Sequence, residues 1–126
     1  MSARVANPAI LVVDDDPEIL NLLWTIINSM ATGYTILTCT HGDMALEQAM
    51  QQPTPLLITD YNLPGMNGLQ LTAALKARAP ATRVVLISAN ITPDMERRAR
   101  ERGVDQVLPK PFQLDPLIQF VQAALA

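Results

Sequence analysis

Two hydrophobic periods take turns along this chain, and that alternation restricts the fold more than any other feature. Short runs rich in β-branched residues predict five strands: AILVV (Ala9 to Val13), YTILTC (Tyr34 to Cys39), PLLIT (Pro55 to Thr59), RVVLIS (Arg83 to Ser88) and QVL (Gln106 to Leu108). Between them lie stretches with helical spacing. Ile19, Leu20, Leu23, Ile26, Ile27 and Met30 fall on one stripe, with Asp16 as N-cap and Pro17 at the first helical position. Trp24 borders that stripe and reads as a packing residue. Ala45, Leu46, Ala49 and Met50 mark a second helix after Asp43, and Leu71 and Leu75 a third after an Asn67 cap. Thr92 and Pro93 open a fourth, which Gly103 closes. Leu114, Leu117, Ile118 and Val121 mark a fifth, where Asp115–Pro116 offers a competing cap.

Strands joined through helices run parallel, because a parallel crossover needs a helix-length connection that packs back over the sheet. The expected class is α/β, a three-layer sandwich with helices on both faces. A chain of 126 residues, 49% hydrophobic, builds one core and not two. No internal repeat or interdomain linker is visible, so the domain is expected over 9–126, with 1–8 as a flexible leading segment.

Composition removes several functions. No apolar run approaches the roughly 18 residues of a membrane span, and MSARVANP lacks the basic start and apolar middle of a signal peptide, so a cytoplasmic protein is expected. A single cysteine, Cys39, cannot form an internal disulfide, and with a single histidine, His41, the chain lacks the clustered ligands of a zinc or iron–sulfur site; both residues read as structural or incidental. A net charge of −3 argues against broad attraction to nucleic acid or anionic membrane.

The polar residues are less ordinary. Asp14, Asp15 and Asp16 follow the first strand, Asp60 ends the third, Ser88 ends the fourth and Lys110 follows the fifth. All are at carboxyl ends, the edge where ligand crevices form in open parallel sheets. Two carboxylates about 5 Å apart repel by roughly 3 kcal/mol at an effective dielectric near 20. A hard divalent cation such as Mg²⁺ relieves that cost through oxygen ligands. Carboxylates, metal, hydroxyl and ammonium together make a phosphoryl-transfer site. Asp60 would be the nucleophile, the metal and Lys110 would neutralise phosphoryl oxygens, and the Ser88 hydroxyl would bond to one of them.

LVVDDDP, ITDYNLPGMNG, VLISAN and LPKPF, in that order and spacing, resemble the receiver domains of two-component response regulators over essentially the whole chain. The resemblance implies a flavodoxin-like sheet of order 2-1-3-4-5, the order known for that fold. It implies that Asp60 accepts a phosphoryl group from a histidine kinase or phosphotransfer protein. Mg²⁺ would be held by Asp15, Asp60 and the Asn62 backbone carbonyl, with Asp14 helping through water. Ser88 and Lys110 would read the phosphorylated state, and the Lys110–Pro111 bond would be cis. The surface of the fourth helix and its neighbours would signal to a downstream effector, and a homodimer through helices four and five is compatible with this arrangement. The chain departs from the family at two places, Val107 and Asn67, and a third residue, Asn90, lies near the mouth of the site. Val107 replaces the usual aromatic residue three positions before the lysine, which weakens or reroutes the coupling to the outer face. Asn67 stands where Asp is common, a change that preserves capping, and Asn90 lies where it can affect the lifetime of an acyl phosphate.

Plainer readings compete with each assignment. Asp16 is read as a cap and Asp14 and Asp15 as functional, since a cap needs one of the three. Asp60, Ser88 and Lys110 would each be unremarkable alone and gain meaning from one another. Arg97, Arg98, Arg100 and Arg102 suggest a docking patch, but Asp94 to Arg98 and Arg97 to Glu101 have the spacing of intrahelical pairs. Two other functions fit the class. An Mg²⁺-dependent aspartyl-phosphate phosphohydrolase would commonly carry a second Asp two residues after the nucleophile, where Asn62 stands, and a capping domain for which there is no material. A cofactor binder or unphosphorylated interaction module is the other; the acidic first loop would repel a cofactor phosphate.

Overall fold

The computed structural model describes residues 7–126. Along it run β1 (Ala9–Val13), α1 (Pro17–Asn28), β2 (Thr35–Cys39), α2 (Gly42–Ala49), β3 (Leu56–Asp60), α3 (Gly68–Arg78), β4 (Arg83–Ser88), α4 (Pro93–Glu101), β5 (Gln106–Pro109) and α5 (Leu114–Leu125). The strands form one parallel sheet in the order β2-β1-β3-β4-β5. The α/β sandwich read from periodicity and the strand order implied by the resemblance are both present.

The unbroken apolar runs of β1 and β3 follow from their central places, since every residue in both strands is buried. Successive side chains alternate between two cores. Ile10, Val12, Leu56, Ile58, Val85 and Ile87 pack with Leu20, Leu23 and Ile27 of α1 and Leu117, Phe120 and Val121 of α5. Leu11, Val13, Leu57, Val84 and Leu86 pack with Ala45 of α2, Leu69, Leu71 and Leu75 of α3, and Met95 and Ala99 of α4.

Most helix starts are those expected. Asp16 accepts the Glu18 N–H at 2.9 Å, Asn67 accepts the Gln70 N–H at 2.9 Å, and Thr92 accepts the Met95 N–H at 3.1 Å. The Gln70 side chain returns a bond to the Asn67 N–H, closing a capping box. Two starts differ. Helix α2 begins at Gly42, so Asp43 lies in its first turn, and His41 at the cap position makes no side-chain capping bond. Helix α5 begins at Leu114, ahead of the competing Asp115–Pro116 cap; Pro116 fits its first turn, where no N–H is required.

Trp24 corrects an expectation. It is 42% exposed and not a core residue. Its flank of α1 lies by β2, an edge strand, where the sheet ends and leaves the ring partly open; Pro17, Leu20, Asn21 and Thr38 line the shallow cleft beside it. Of the leading segment 1–8, residues 1–6 lie outside the described residues. The Pro8 carbonyl accepts the Thr35 N–H at 2.9 Å, so the chain is tied to β2 before β1 begins.

Candidate functional site

Backbone bonds set each site residue at the carboxyl edge. Asp14, just past β1, donates its N–H to the Cys39 carbonyl of β2 at 3.1 Å. Asp60 is the last residue of β3, and the next N–H, of Tyr61, bonds the Ile87 carbonyl of β4 at 2.8 Å. Lys110, just past β5, donates its N–H to the Ser88 carbonyl at 2.9 Å. Each neighbouring strand therefore fixes the backbone from which a functional side chain projects. The Lys110–Pro111 peptide is cis.

These side chains converge. Carboxylate oxygens of Asp14, Asp15 and Asp60 lie within 4.8 Å of one another. Lys110 Nζ lies 3.0 Å from Asp14 Oδ2 and 3.1 Å from Asp60 Oδ2. Asp14 is 1% exposed, Asp60 is also buried and Asp15 is open to solvent. Asp14 Oδ1 accepts the Asp16 N–H at 2.9 Å, so Asp16 both caps α1 and orients its neighbour. Asp14 Oδ2 is buried without an aligned hydrogen bond, although Lys110 is near. Its lone pairs are answered by charge alone.

That arrangement shifts two groups. Burial pushes the Asp14 carboxyl above its ordinary value and the Asp60 charge adds to the effect, while the Asp16 N–H and Lys110 oppose it without cancelling it. Burial acts to lower the Lys110 value, but Asp14 and Asp60 together outweigh it and hold the ammonium above its ordinary value. Asp14 is thus a carboxyl whose surroundings disfavour its charge. Three convergent carboxylates, one with a buried oxygen lacking a hydrogen bond, fit a hard divalent cation.

Ser88 and Asn62 share the edge without a hydrogen bond to the carboxylates. The buried Ser88 hydroxyl accepts the Asn90 N–H at 3.2 Å and bonds the Asn90 carbonyl at 3.4 Å, so it faces its own loop. Asn62 is exposed on the loop two residues past Asp60. Cys39 is buried and burial pushes its thiol up, away from reactivity. On α4, Arg98 pairs with Asp94 at 3.6 Å and Arg97 with Glu101 at 3.9 Å, as their spacing suggested.

One site residue escaped sequence reasoning. Gly68 opens α3 directly against the Asp60 backbone, where a Cβ would overlap the Asp60 carbonyl oxygen and come within 2.8 Å of Leu86 Cδ1. Its N–H bonds the Tyr61 carbonyl at 2.8 Å. A glycine following a capping Asn is the only sequence hint of that close approach.

A family model described as the response regulator receiver domain matches residues 10–122. The chain belongs to that family. Transcriptional regulatory protein KdpE of Mycobacterium tuberculosis is 33% identical over 116 residues, 92% of this chain and 50% of that protein. DNA-binding transcriptional regulator NtrC of Escherichia coli is 33% identical over 116 residues, 91% of this chain and 24% of that protein. The receiver thus spans half or less of the length of these curated relatives. The receiver domain of the Francisella response regulator 1452 superposes with a TM-score of 0.83 at 27% identity, covering 94% of this chain and 97% of that one.

Membership places the receiver in two-component signalling, in a family whose domains are in general phosphoacceptors and not classical enzymes. Its acidic cluster could hold a metal ion. Among the described residues no helix is long and apolar enough to cross a membrane. Val107, at the position usually aromatic in the family, is partly buried against the core that includes Met95 and Ala99.

Proposed function

We propose that this receiver, with 9–126 as its body, is a phosphorylation-controlled switch acting in the cytoplasm, with Asp60 as the acceptor. The observation that carries the proposal is the placement of Asp60, Asp14 and Lys110: an ammonium 3.1 Å from the acceptor oxygen, beside a carboxylate whose second oxygen lacks a hydrogen bond. An Asp60 oxygen attacks the phosphorus of a phosphohistidine in line, the phosphorus–nitrogen bond breaks, and the electron pair leaves with the imidazole. Lys110 offers fixed positive charge to the phosphoryl oxygens without giving up its proton. Asp15, Asp60 and the Asn62 carbonyl would hold Mg²⁺, with Asp14 acting through water. When bound, that ion would supply the remaining positive charge the phosphoryl oxygens need.

The donor is a histidine kinase or phosphotransfer protein. A groove of about 430 Å³, lined by Ile19, Leu22, Pro111, Phe112 and Leu114, shares Lys110 with the site and offers it an apolar seat at the rim. Once Asp60 is phosphorylated, its added charge and acceptor oxygens draw the Ser88 hydroxyl from Asn90, and the β4–α4 loop follows. Helix α4 and its neighbours present the change to a downstream effector, by way of small apolar contacts around Val107 in place of a rotating aromatic ring. Asn62 supplies no second carboxylate for acid/base work, which disfavours a phosphohydrolase.

The test is incubation with Mg²⁺ and acetyl phosphate, followed by intact-mass measurement. One phosphoryl group on the wild type and none on Asp60→Asn is the expected result. Multiple turnover of a phosphoester would favour the hydrolase, and a chain that takes no label would be a passive module.

A further inference from the structure

The amino ends of the strands, opposite the acidic edge, carry a second charged cluster. Asp105, just before β5, donates its N–H to the Val84 carbonyl at 2.9 Å and accepts the Val84 N–H on Oδ2 at 2.7 Å. Lys76 Nζ approaches that oxygen at 3.4 Å, and Arg83 Nε approaches Oδ1 at 3.5 Å. Both cations are themselves held. The Lys76 stem packs against Gly103, and the Arg83 guanidinium lies 5.3 Å from the Phe120 ring centre.

Strand β5 has a neighbour on one side only. It is an edge strand of four residues bonded to β4 alone, with Pro109 on its free edge and the Lys110 N–H closing the ladder on the Ser88 carbonyl at 2.9 Å. Parallel strands are fixed by register, and a slip of one residue turns every side chain to the opposite face. Lys110 is the first residue beyond β5, so a slip would carry its ammonium away from Asp14 and Asp60. Five residues at about 3.3 Å each place Asp105 roughly 16 Å from Lys110, at the other end of the same strand.

We infer that Asp105 is a positioning residue for Lys110: its carboxylate adds one rung on Val84 and holds β5 in the register that delivers Lys110 to Asp60. The inference rests on the phosphoacceptor reading above. A merely charge-balancing Asp105 would matter through its negative charge to Lys76 and Arg83. A register clamp matters through the oxygen that receives the Val84 N–H. Asp105→Asn keeps an acceptor oxygen and removes the charge, whereas Asp105→Ala removes both, so the two variants separate the roles.

The experiment measures Asp60 labelling by acetyl phosphate with Mg²⁺, together with amide hydrogen exchange at Leu108, whose N–H faces β4 as that of Lys110 does, in the wild type and both variants. Asp105→Ala should label roughly 10- to 100-fold more slowly, as expected when a catalytic group is misplaced. It should exchange faster at Leu108 and bind Mg²⁺ as the wild type does. Asp105→Asn should restore both the rate and the protection. If Asp105→Ala fails to fold, Lys76→Met provides the contrast: it leaves the carboxylate on Val84 and should label at the wild-type rate. Equal slowing in Asp105→Asn and Asp105→Ala, slow labelling of Lys76→Met, or unchanged Leu108 exchange in Asp105→Ala overturns the assignment. A wild type that takes no label overturns the phosphoacceptor reading instead, and the Leu108 exchange still decides whether Asp105 clamps β5.

Discussion

Lys110 Nζ lies 3.1 Å from Asp60 Oδ2, an ion pair assembled from two strand ends that are not adjacent in the sheet. The same ammonium sits 3.0 Å from Asp14. Lys110→Met leaves two buried carboxylates facing each other. The metal-free receiver should lose about 1–3 kcal/mol of stability, because removing one partner of a buried pair strands the other. Mg²⁺ should bind about tenfold more tightly, since a nearby positive charge no longer opposes it. Urea unfolding in EDTA and calorimetric titration with Mg²⁺ measure the two effects.

Asp14 works in the opposite direction. Its raised value means that the folded chain takes up this proton first on acidification. Above the folded value the ionised carboxylate therefore costs stability, and the cost fades as pH falls towards about 3.9, the unfolded aspartate value. Asp14→Asn should stabilise the metal-free protein by on the order of 1 kcal/mol at neutral pH, a rise of about 4 °C in Tm. The gain should shrink on acidification while Mg²⁺ affinity falls. Melting curves from pH 7 downwards, with and without Mg²⁺, check both statements.

The raised value of Lys110 gives a separate signature at high pH. Below about 10.4, the unfolded lysine value, its stabilising contribution is complete, and it is lost as pH rises through the higher folded value. Wild-type stability should fall across that alkaline window more steeply than that of Lys110→Met. Chemical unfolding at a series of alkaline pH values reads the difference.

Gly68 tests how closely α3 must approach the acceptor strand. A Cβ there overlaps the Asp60 carbonyl, which is backbone and cannot swing aside. Gly68→Ala should cost about 2–3 kcal/mol by overpacking and displace Asp60. Gly65, at φ 74° with nothing within 4 Å of an added Cβ, gives the contrast: Gly65→Ala should cost only about 1 kcal/mol of backbone strain and leave the site in place. Urea midpoints distinguish the pair.

Much of this was legible because strand and helix periods differ and because the site residues are polar where the chain is otherwise apolar. Asp60 stood out after Leu56–Thr59, and Asp14 after Ala9–Val13, since a buried strand ending in a carboxylate needs a reason. What stayed hidden depends on contacts between distant segments. Gly68 is special only because Asp60 and Leu86 press against it, and Asp105 only because Val84 presents it an N–H. Trp24, at the edge of its helix stripe, read as a packing residue because the stripe does not say where the sheet ends. The orientation of Ser88 towards Asn90 is a rotamer choice that no residue pattern encodes.

The central claim is that Asp60 is chemically modified and that Ser88 answers the modification. A crystal structure of the receiver with Mg²⁺ and beryllofluoride measures this most directly. The predicted result is beryllofluoride on an Asp60 oxygen, Mg²⁺ among Asp15, Asp60 and the Asn62 carbonyl, and the Ser88 hydroxyl turned from Asn90 to a fluorine. Electron density with neither species beside Asp60, and Ser88 still bonded to Asn90, would contradict it.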